Sequence, residues 1–309
     1  MRKTALDCVH ELSRLDERVV FIGSDLGPGV LAKMRTEFPN RWFMEGVSEQ
    51  HIVGMAAGLA MEGFIPYVNT IATFLTRRCY EQVAVDLCLH DLPVRLIANG
   101  GGGVYAPLGP THLALEDIAI MRALPNMTIV APCDADEMRR FMHHSLDWPH
   151  PIYIRLAKGG DQVVSDPKHS FELGRSIKIR EGSEGVFMST GVMTQVALEA
   201  SEILGREGHE VGVRHVHTIK PLDCEGVMSD ILRARSVVTV EEGFVNGGFG
   251  SAILELCSET SPEHLAKIAR IGIPDAFPTE YGSQQTLLSS WNITARSLAE
   301  TMRNHLGAR

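Results

Sequence analysis

Gly46-Val47-Ser48-Glu49-Gln50-His51-Ile52-Val53-Gly54-Met55-Ala56-Ala57-Gly58-Leu59-Ala60 joins a polar turn to a run of small apolar residues. A helix from Glu49 to Met61 made so largely of Gly and Ala packs closely on its neighbours, and Glu49 stands in its first turn. A carboxylate there favours the helix dipole; it also puts an acid at the mouth of whatever site the helix borders. The flanking runs Val19-Val20-Phe21-Ile22 and Ile65-Pro66-Tyr67-Val68 read as strands, which makes the stretch the helix between two strands of a parallel sheet.

Working outward, further strands are expected at Val94–Ala98, Met127–Ala131 and Ile152–Arg155. Helices are expected at Thr4–Leu15, Phe74–His90, Glu116–Leu124 and Asp134–Leu146. Asp134, with Asp136 and Glu137 behind it, is a strong helix start. Periodicity fades from Gly159 to about Gly174, and a second α/β pattern follows: strands Gly185–Ser189, Val211–Val216 and Val237–Val240, helices Thr194–Gly205 and Gly250–Cys257. The fold class is two consecutive α/β domains, with residues 1–160 as a parallel-sheet domain, 161–176 as linker and 177–309 as the second domain. Two glycine clusters stand out. Gly248-Phe249-Gly250-Ser251 lacks the third glycine of a dinucleotide loop and reads as tight backbone packing at a helix start. Gly100-Gly101-Gly102-Gly103 ends the strand Val94–Ala98 where parallel sheets place ligands, and with Tyr105 to His112 behind it reads as part of a shaped site.

Of 309 residues, 44% are hydrophobic and 22% charged, the composition of an ordered globular protein. A net charge of −9 with scattered Lys and Arg excludes a general role on nucleic acid or anionic membranes. No signal peptide or spanning segment is legible, and a cytoplasmic protein is expected. The six cysteines form no C-x-x-C pair; they read as free buried thiols and are assigned neither metal nor redox work.

Taken in order, several short motifs resemble the C-terminal half of transketolase, its pyrimidine-binding domain and the domain after it. They are Ile22-Gly23-Ser24-Asp25-Leu26, Glu45-Gly46-Val47-Ser48-Glu49-Gln50-His51, Thr73-Phe74-Leu75, Gly109-Pro110-Thr111-His112, Leu124-Pro125-Asn126-Met127, Ala131-Pro132-Cys133-Asp134, Ile219-Lys220-Pro221-Leu222-Asp223, Thr239-Val240-Glu241-Glu242 and Gly247-Gly248-Phe249-Gly250-Ser251. The resemblance implies thiamine diphosphate as cofactor with Mg²⁺. Glu49 would be the catalytic acid on N1′ of the aminopyrimidine, Phe74 would stack on that ring, and Asp25 would join the cofactor site. His112 would meet substrate oxygens, as catalytic and substrate-binding residue. Lys158 falls where the family has a phosphate-binding arginine, with Arg155 as competitor; Arg77 would face the substrate mouth, or simply solvent.

No Gly-Asp-Gly motif with a spaced Asn is present, so the resemblance is to the smaller subunit of a split transketolase. Its partner would bring the diphosphate-binding domain and Mg²⁺ ligands in an α2β2 heterotetramer acting on sugars or sugar phosphates. Three departures from the family pattern, Leu108 for an Asp, Asn99-Gly100 for an Asp-Arg pair and Phe244 for a polar residue, make the substrate end less charged. They point to a two-carbon ketol transfer to an aldose or a specialised acceptor. The rival readings are a 2-oxo acid dehydrogenase β subunit and a non-catalytic assembly partner of the same fold.

Overall fold

The computed structural model describes residues 1–24, 29, 31–157 and 159–307. The first half runs α1 (Arg2–Leu15), β1 (Val19–Gly23), α2 (Ala32–Glu37), β2 (Trp42–Met44), α3 (Glu49–Met61), β3 (Ile65–Ile71), α4 (Ala72–Thr76), α5 (Tyr80–Gln82), β4 (Arg95–Asn99), α6 (Asp117–Arg122), β5 (Thr128–Val130), α7 (Ala135–Ser145) and β6 (Ile152–Leu156). The second half runs β7 (Ile177–Arg180), β8 (Gly185–Ser189), α8 (Met193–Arg206), β9 (Val211–His215), β10 (Thr218–Lys220), α9 (Cys224–Arg233), β11 (Ser236–Phe244), α10 (Phe249–Thr260), β12 (Ile268–Ile273), α11 (Gln284–Ser290) and α12 (Ala295–Gly307).

Two mostly parallel sheets result, in the orders β10-β5-β6-β4-β3-β1-β2 and β12-β11-β8-β9-β7. Strands β1, β4 and β6 are buried along their whole length, as strands covered by helices on both faces must be, and this is why β1 reads as a continuous apolar run. Helix α3 turns Ile52, Val53, Ala56, Ala57 and Ala60 inward at helical spacing. Asp134 caps α7 by accepting from the amides of Asp136 at 3.0 Å and Glu137 at 2.9 Å. The same carboxylate accepts from the amides of Val164 (2.8 Å) and Ser165 (2.7 Å), so the segment after β6, which has no regular structure, is nonetheless fastened down.

Two expectations change. The helix expected over Phe74–His90 is broken. Helix α4 ends at Thr76, residues 77–79 form a turn, and α5 leads into a π-helical turn at Val83–Leu89. The strand expected at Val211–Val216 stops at His215, and the chain then supplies β10 to the other sheet, antiparallel to β5 with Thr218 opposite Val130. A three-residue edge strand shows no periodicity, which hid it.

Where the halves meet, Glu137 of α7 shares a 2.8 Å hydrogen bond with His215 Nε2 and accepts from the Cys133 amide at 2.7 Å. Cys133, Glu137 and His215 hold their donor atoms within 4.8 Å of one another, a spacing a metal ion would also accept. Burial would raise the pKa of Glu137, but His215 outweighs it and holds the carboxyl at about 2. His217 stacks on Phe171 with ring centroids 4.1 Å apart, and its Nε2 is buried without a partner.

Burial pushes the His217 pKa down from 6.5 to about 4. Below pH 6.5 the unfolded chain therefore takes up a proton that the folded chain refuses, and the stability this residue permits is lost as pH falls toward 4. His217→Gln is expected to shrink the loss of unfolding free energy between about pH 6.5 and pH 4.5 by about 2 kcal/mol, read by urea titration at stepped pH. The same slope in both proteins would show that His217 is protonated as readily folded as unfolded.

Candidate active site

Because β1, β3 and β4 are parallel neighbours, the loops that leave Gly23, Ile71 and Asn99 gather at one edge of the first sheet. Glu49 is brought to this edge by the turn before α3. The Ser24 hydroxyl donates to the Gly46 carbonyl and accepts from the Ser48 amide at 3.3 Å, while the Glu45 amide donates to Gly23. Gly46 has φ +68°, a conformation that favours glycine. Glu49 is only 2% exposed. Its Oε2 accepts from Arg78 Nη1 at 2.6 Å, and its Oε1 is buried with no partner.

Phe74, in α4, meets the His112 ring edge to face at 5.4 Å and lies beneath the Arg78 guanidinium at 4.1 Å. His112 closes a turn by donating its amide to the Gly109 carbonyl at 3.0 Å, and its Nδ1 shares a 2.8 Å hydrogen bond with the Thr111 hydroxyl. Arg77 holds this turn from outside. It pairs with Glu116 at 3.0 Å and donates to the Thr111 carbonyl at 3.1 Å. On the other side the Tyr281 ring lies where a Cβ on Gly109 would stand, and Leu108 is exposed beside it.

Thus Glu49, Phe74, His112 and Arg77 come together. Asp25 and Lys158 lie outside the described residues. Arg155 faces inward: it is buried, donates to Asp117 Oδ2 at 2.7 Å, and reaches the carbonyls of Ala114 (3.2 Å) and Glu242 (2.6 Å). Burial would lower its pKa, but Asp117 outweighs that and holds it above the ordinary arginine value. Sequence reasoning passed over four residues. Ser24 sat inside a quoted motif without a role. Arg78, four residues after Phe74, stands in no quoted motif. Thr73 and Asn99 end at the same edge with buried, unpartnered Oγ1 and Oδ1 atoms, a feature no spacing betrays.

The tetraglycine run, read as part of a shaped site, seats side chains of both halves. A Cβ on Gly100 would strike Tyr105, one on Gly101 would strike Arg155, and one on Gly102 would strike Glu242. The Glu242 carboxylate accepts from the Gly103 amide at 2.8 Å and from Gln284 at 2.7 Å, and burial raises its pKa. The second glycine cluster holds a helix start: the amides of Phe249 (2.7 Å) and Gly250 (2.8 Å) donate to Glu241, whose pKa burial lifts to about 7. A groove of about 980 Å³ on the second half contains none of the Glu49 cluster. Two of the cations that line it are paired, Lys178 with Asp230 at 2.7 Å and Arg180 with Glu202 at 3.1 Å.

Residues 1–160 match the family model of the transketolase pyrimidine-binding domain, and residues 174–298 match that of the transketolase C-terminal domain. The chain belongs to the transketolase family. A solved split-gene transketolase, described as an inactive beta4 tetramer, superposes with a TM-score of 0.91 at 33% identity, over 99% of this chain and 98% of that one. A 6-deoxy-6-sulfo-D-fructose transketolase subunit from a Clostridium species is 32% identical over 96% of this chain and 92% of its own. A 1-deoxy-D-xylulose-5-phosphate synthase from Syntrophotalea carbinolica is 38% identical over 96% of this chain but only 46% of its own. The transketolase-family chain thus spans about half the length of the synthases it matches, and it fits the C-terminal half of a split transketolase. Among the described residues no helix is long and apolar enough to cross a membrane.

Asp117→Ala would strand Arg155 as a buried charge, and the expected loss is about 3–5 kcal/mol of unfolding free energy by urea titration. A loss under about 1 kcal/mol would mean that another group or water reaches the guanidinium.

Proposed function

We propose that this chain is the smaller subunit of a two-chain, thiamine diphosphate-dependent transketolase that moves a two-carbon ketol unit from a ketose donor to an aldose or specialised acceptor. The observation that carries the reading is Glu49 Oε1, buried and unpartnered, on a carboxylate whose Arg78 partner lies over the face of Phe74. An orphaned carboxylate oxygen costs folding free energy unless a ligand completes it, and Thr73 Oγ1 and Asn99 Oδ1 are orphaned at the same sheet edge. Two acceptor oxygens, a hydroxyl that can donate or accept, and one aromatic face suit a flat, nitrogen-containing ring that carries N–H groups. They do not suit a diphosphate, whose oxygens are acceptors too; on this reading a second chain holds the diphosphate and Mg²⁺ in an α2β2 assembly.

When bound, thiamine diphosphate supplies the nucleophilic carbon and the electron sink for breaking a carbon–carbon bond next to a carbonyl. Glu49 holds and returns a proton at the ring nitrogen N1′, and its dryness keeps that proton from solvent. Phe74 fixes the plane of the ring. His112, oriented by Thr111 and the Arg77 clamp, hydrogen-bonds oxygens of the sugar and moves protons at them. Asp25 extends the cofactor site, and Lys158 takes a terminal anionic group as a point charge. With Leu108 at the mouth, the donor is a modified ketose, a sulfonated one among them, rather than the ordinary pentose phosphate pair. The 38% identity to a deoxyxylulose phosphate synthase supports a second reading, condensation of pyruvate with an aldehyde; Asn99-Gly100 in place of the Asp-Arg pair speaks against it.

The test is co-expression with a chain carrying the diphosphate-binding domain, native mass measurement, and ketose-donor assays with thiamine diphosphate and Mg²⁺. Activity is expected only with both chains. Glu49→Gln in that complex is expected to lose roughly 10²–10⁴-fold in kcat at unchanged native mass. Retained activity would restore the non-catalytic assembly reading. Release of CO₂ from pyruvate would replace ketol transfer with the synthase or 2-oxo acid reading.

A further inference from the structure

Arg78 touches both groups that would hold the aminopyrimidine ring. Its guanidinium carbon stands 4.1 Å from the Phe74 ring centroid, and its Nη1 donates to Glu49 Oε2 at 2.6 Å. A guanidinium is flat, delocalised and rich in N–H donors, so it stacks on an aromatic face and meets a carboxylate with one group, as a protonated aminopyrimidine would. The neighbouring Arg77 is engaged elsewhere, with Glu116 and the Thr111 carbonyl. Gln50, next to Glu49, donates its side-chain amide to the Arg78 carbonyl at 3.1 Å, which fixes the backbone from which the guanidinium reaches in.

Exposure sets the direction of movement. The Arg78 side chain is 43% exposed while Glu49 is at 2%, so the arginine enters from solvent over a buried acid and can withdraw without opening the core. Arg78 also stands in the turn between α4 and α5 and not within a helix.

We propose that Arg78 is a placeholder for the cofactor's aminopyrimidine ring: it occupies the Phe74 face and the Glu49 carboxylate until the cofactor enters, and it then swings out to solvent. This rests on the thiamine diphosphate reading of the site. The arginine gives Glu49 a charge partner in the cofactor-free chain, where a lone buried carboxylate would be costly. The consequence is competition, since cofactor binding must displace a side chain already making two contacts.

The experiment is calorimetric titration of thiamine diphosphate, with Mg²⁺ present, into the two-chain complex of wild type, Arg78→Ala and Arg78→Lys, with native mass as the check on assembly. Arg78→Ala is expected to bind about tenfold more tightly, about 1.4 kcal/mol. Arg78→Lys keeps the charge but not the flat face and is expected to fall between the two. Equal or weaker binding by the Ala variant in an intact complex overturns the proposal and makes Arg78 a resident part of the loaded site. If the Ala variant does not assemble, the Lys variant decides by the same comparison. Absence of binding in wild type and variants alike removes the thiamine reading and this proposal together. A crystal structure of the loaded complex supplies an independent readout: the guanidinium is expected off the Phe74 ring, and its continued stacking there overturns the placeholder role.

Discussion

A full positive charge sits at Arg155 where almost no water reaches, and the arrangement of the two halves follows from how that charge is met. Asp117 neutralises it, Tyr153 donates to the same Asp117 oxygen at 2.9 Å, and the carbonyls of Ala114 and Glu242 take the remaining guanidinium hydrogens on Nη2. Those partners come from α6, from the segment before it and from β11 of the second sheet. A buried ion pair of this kind contributes little net stability when intact, but it is costly to break. It therefore fixes position: only one seating of the second half on the first satisfies the guanidinium. The tetraglycine run is the complement of that requirement, because side chains at Gly101 and Gly102 would occupy the space of Arg155 and Glu242.

Much of this was legible in the sequence, for identifiable reasons. Strands β1, β3 and β6 are largely buried stretches rich in branched and aromatic residues, and α3 begins and ends where its pattern of small residues does. Asp134 announced α7 because an N-cap with acidic residues behind it has a local cause. What escaped was non-local. The break after Thr76 puts two adjacent arginines in a turn from which they serve different segments, one the His112 turn and one Glu49, and periodicity carries no trace of that. The tetraglycine run showed that something comes close, but glycine does not report whether that is substrate or protein. Within the site, Glu49, Phe74 and His112 were legible through motif order, whereas Arg78, Ser24, Thr73 and Asn99 needed coordinates.

The 980 Å³ groove lies elsewhere on the molecule and holds two ion pairs of its own. The Glu49 cluster is instead recognised by incompleteness. Its carboxylate lacks one partner, and its aromatic face is covered by a half-exposed arginine. Unsatisfied polar atoms, more than concavity, mark a surface that another molecule is meant to finish.

Strand β10 has a further consequence, for how the chain could be divided. It lies at the end of the first sheet and covers the open side of β5, although its residues belong to the second half. Without it, a row of β5 amides and carbonyls would face solvent as a template for any passing strand. At the opposite end β2 is three residues long, which offers little to pair with. The second half thus acts as a built-in guard on the first, and a fragment ending near residue 160 would lose part of a core the two halves share and gain a sticky border. Cutting between the sheets would trade one well-behaved chain for a piece prone to aggregate.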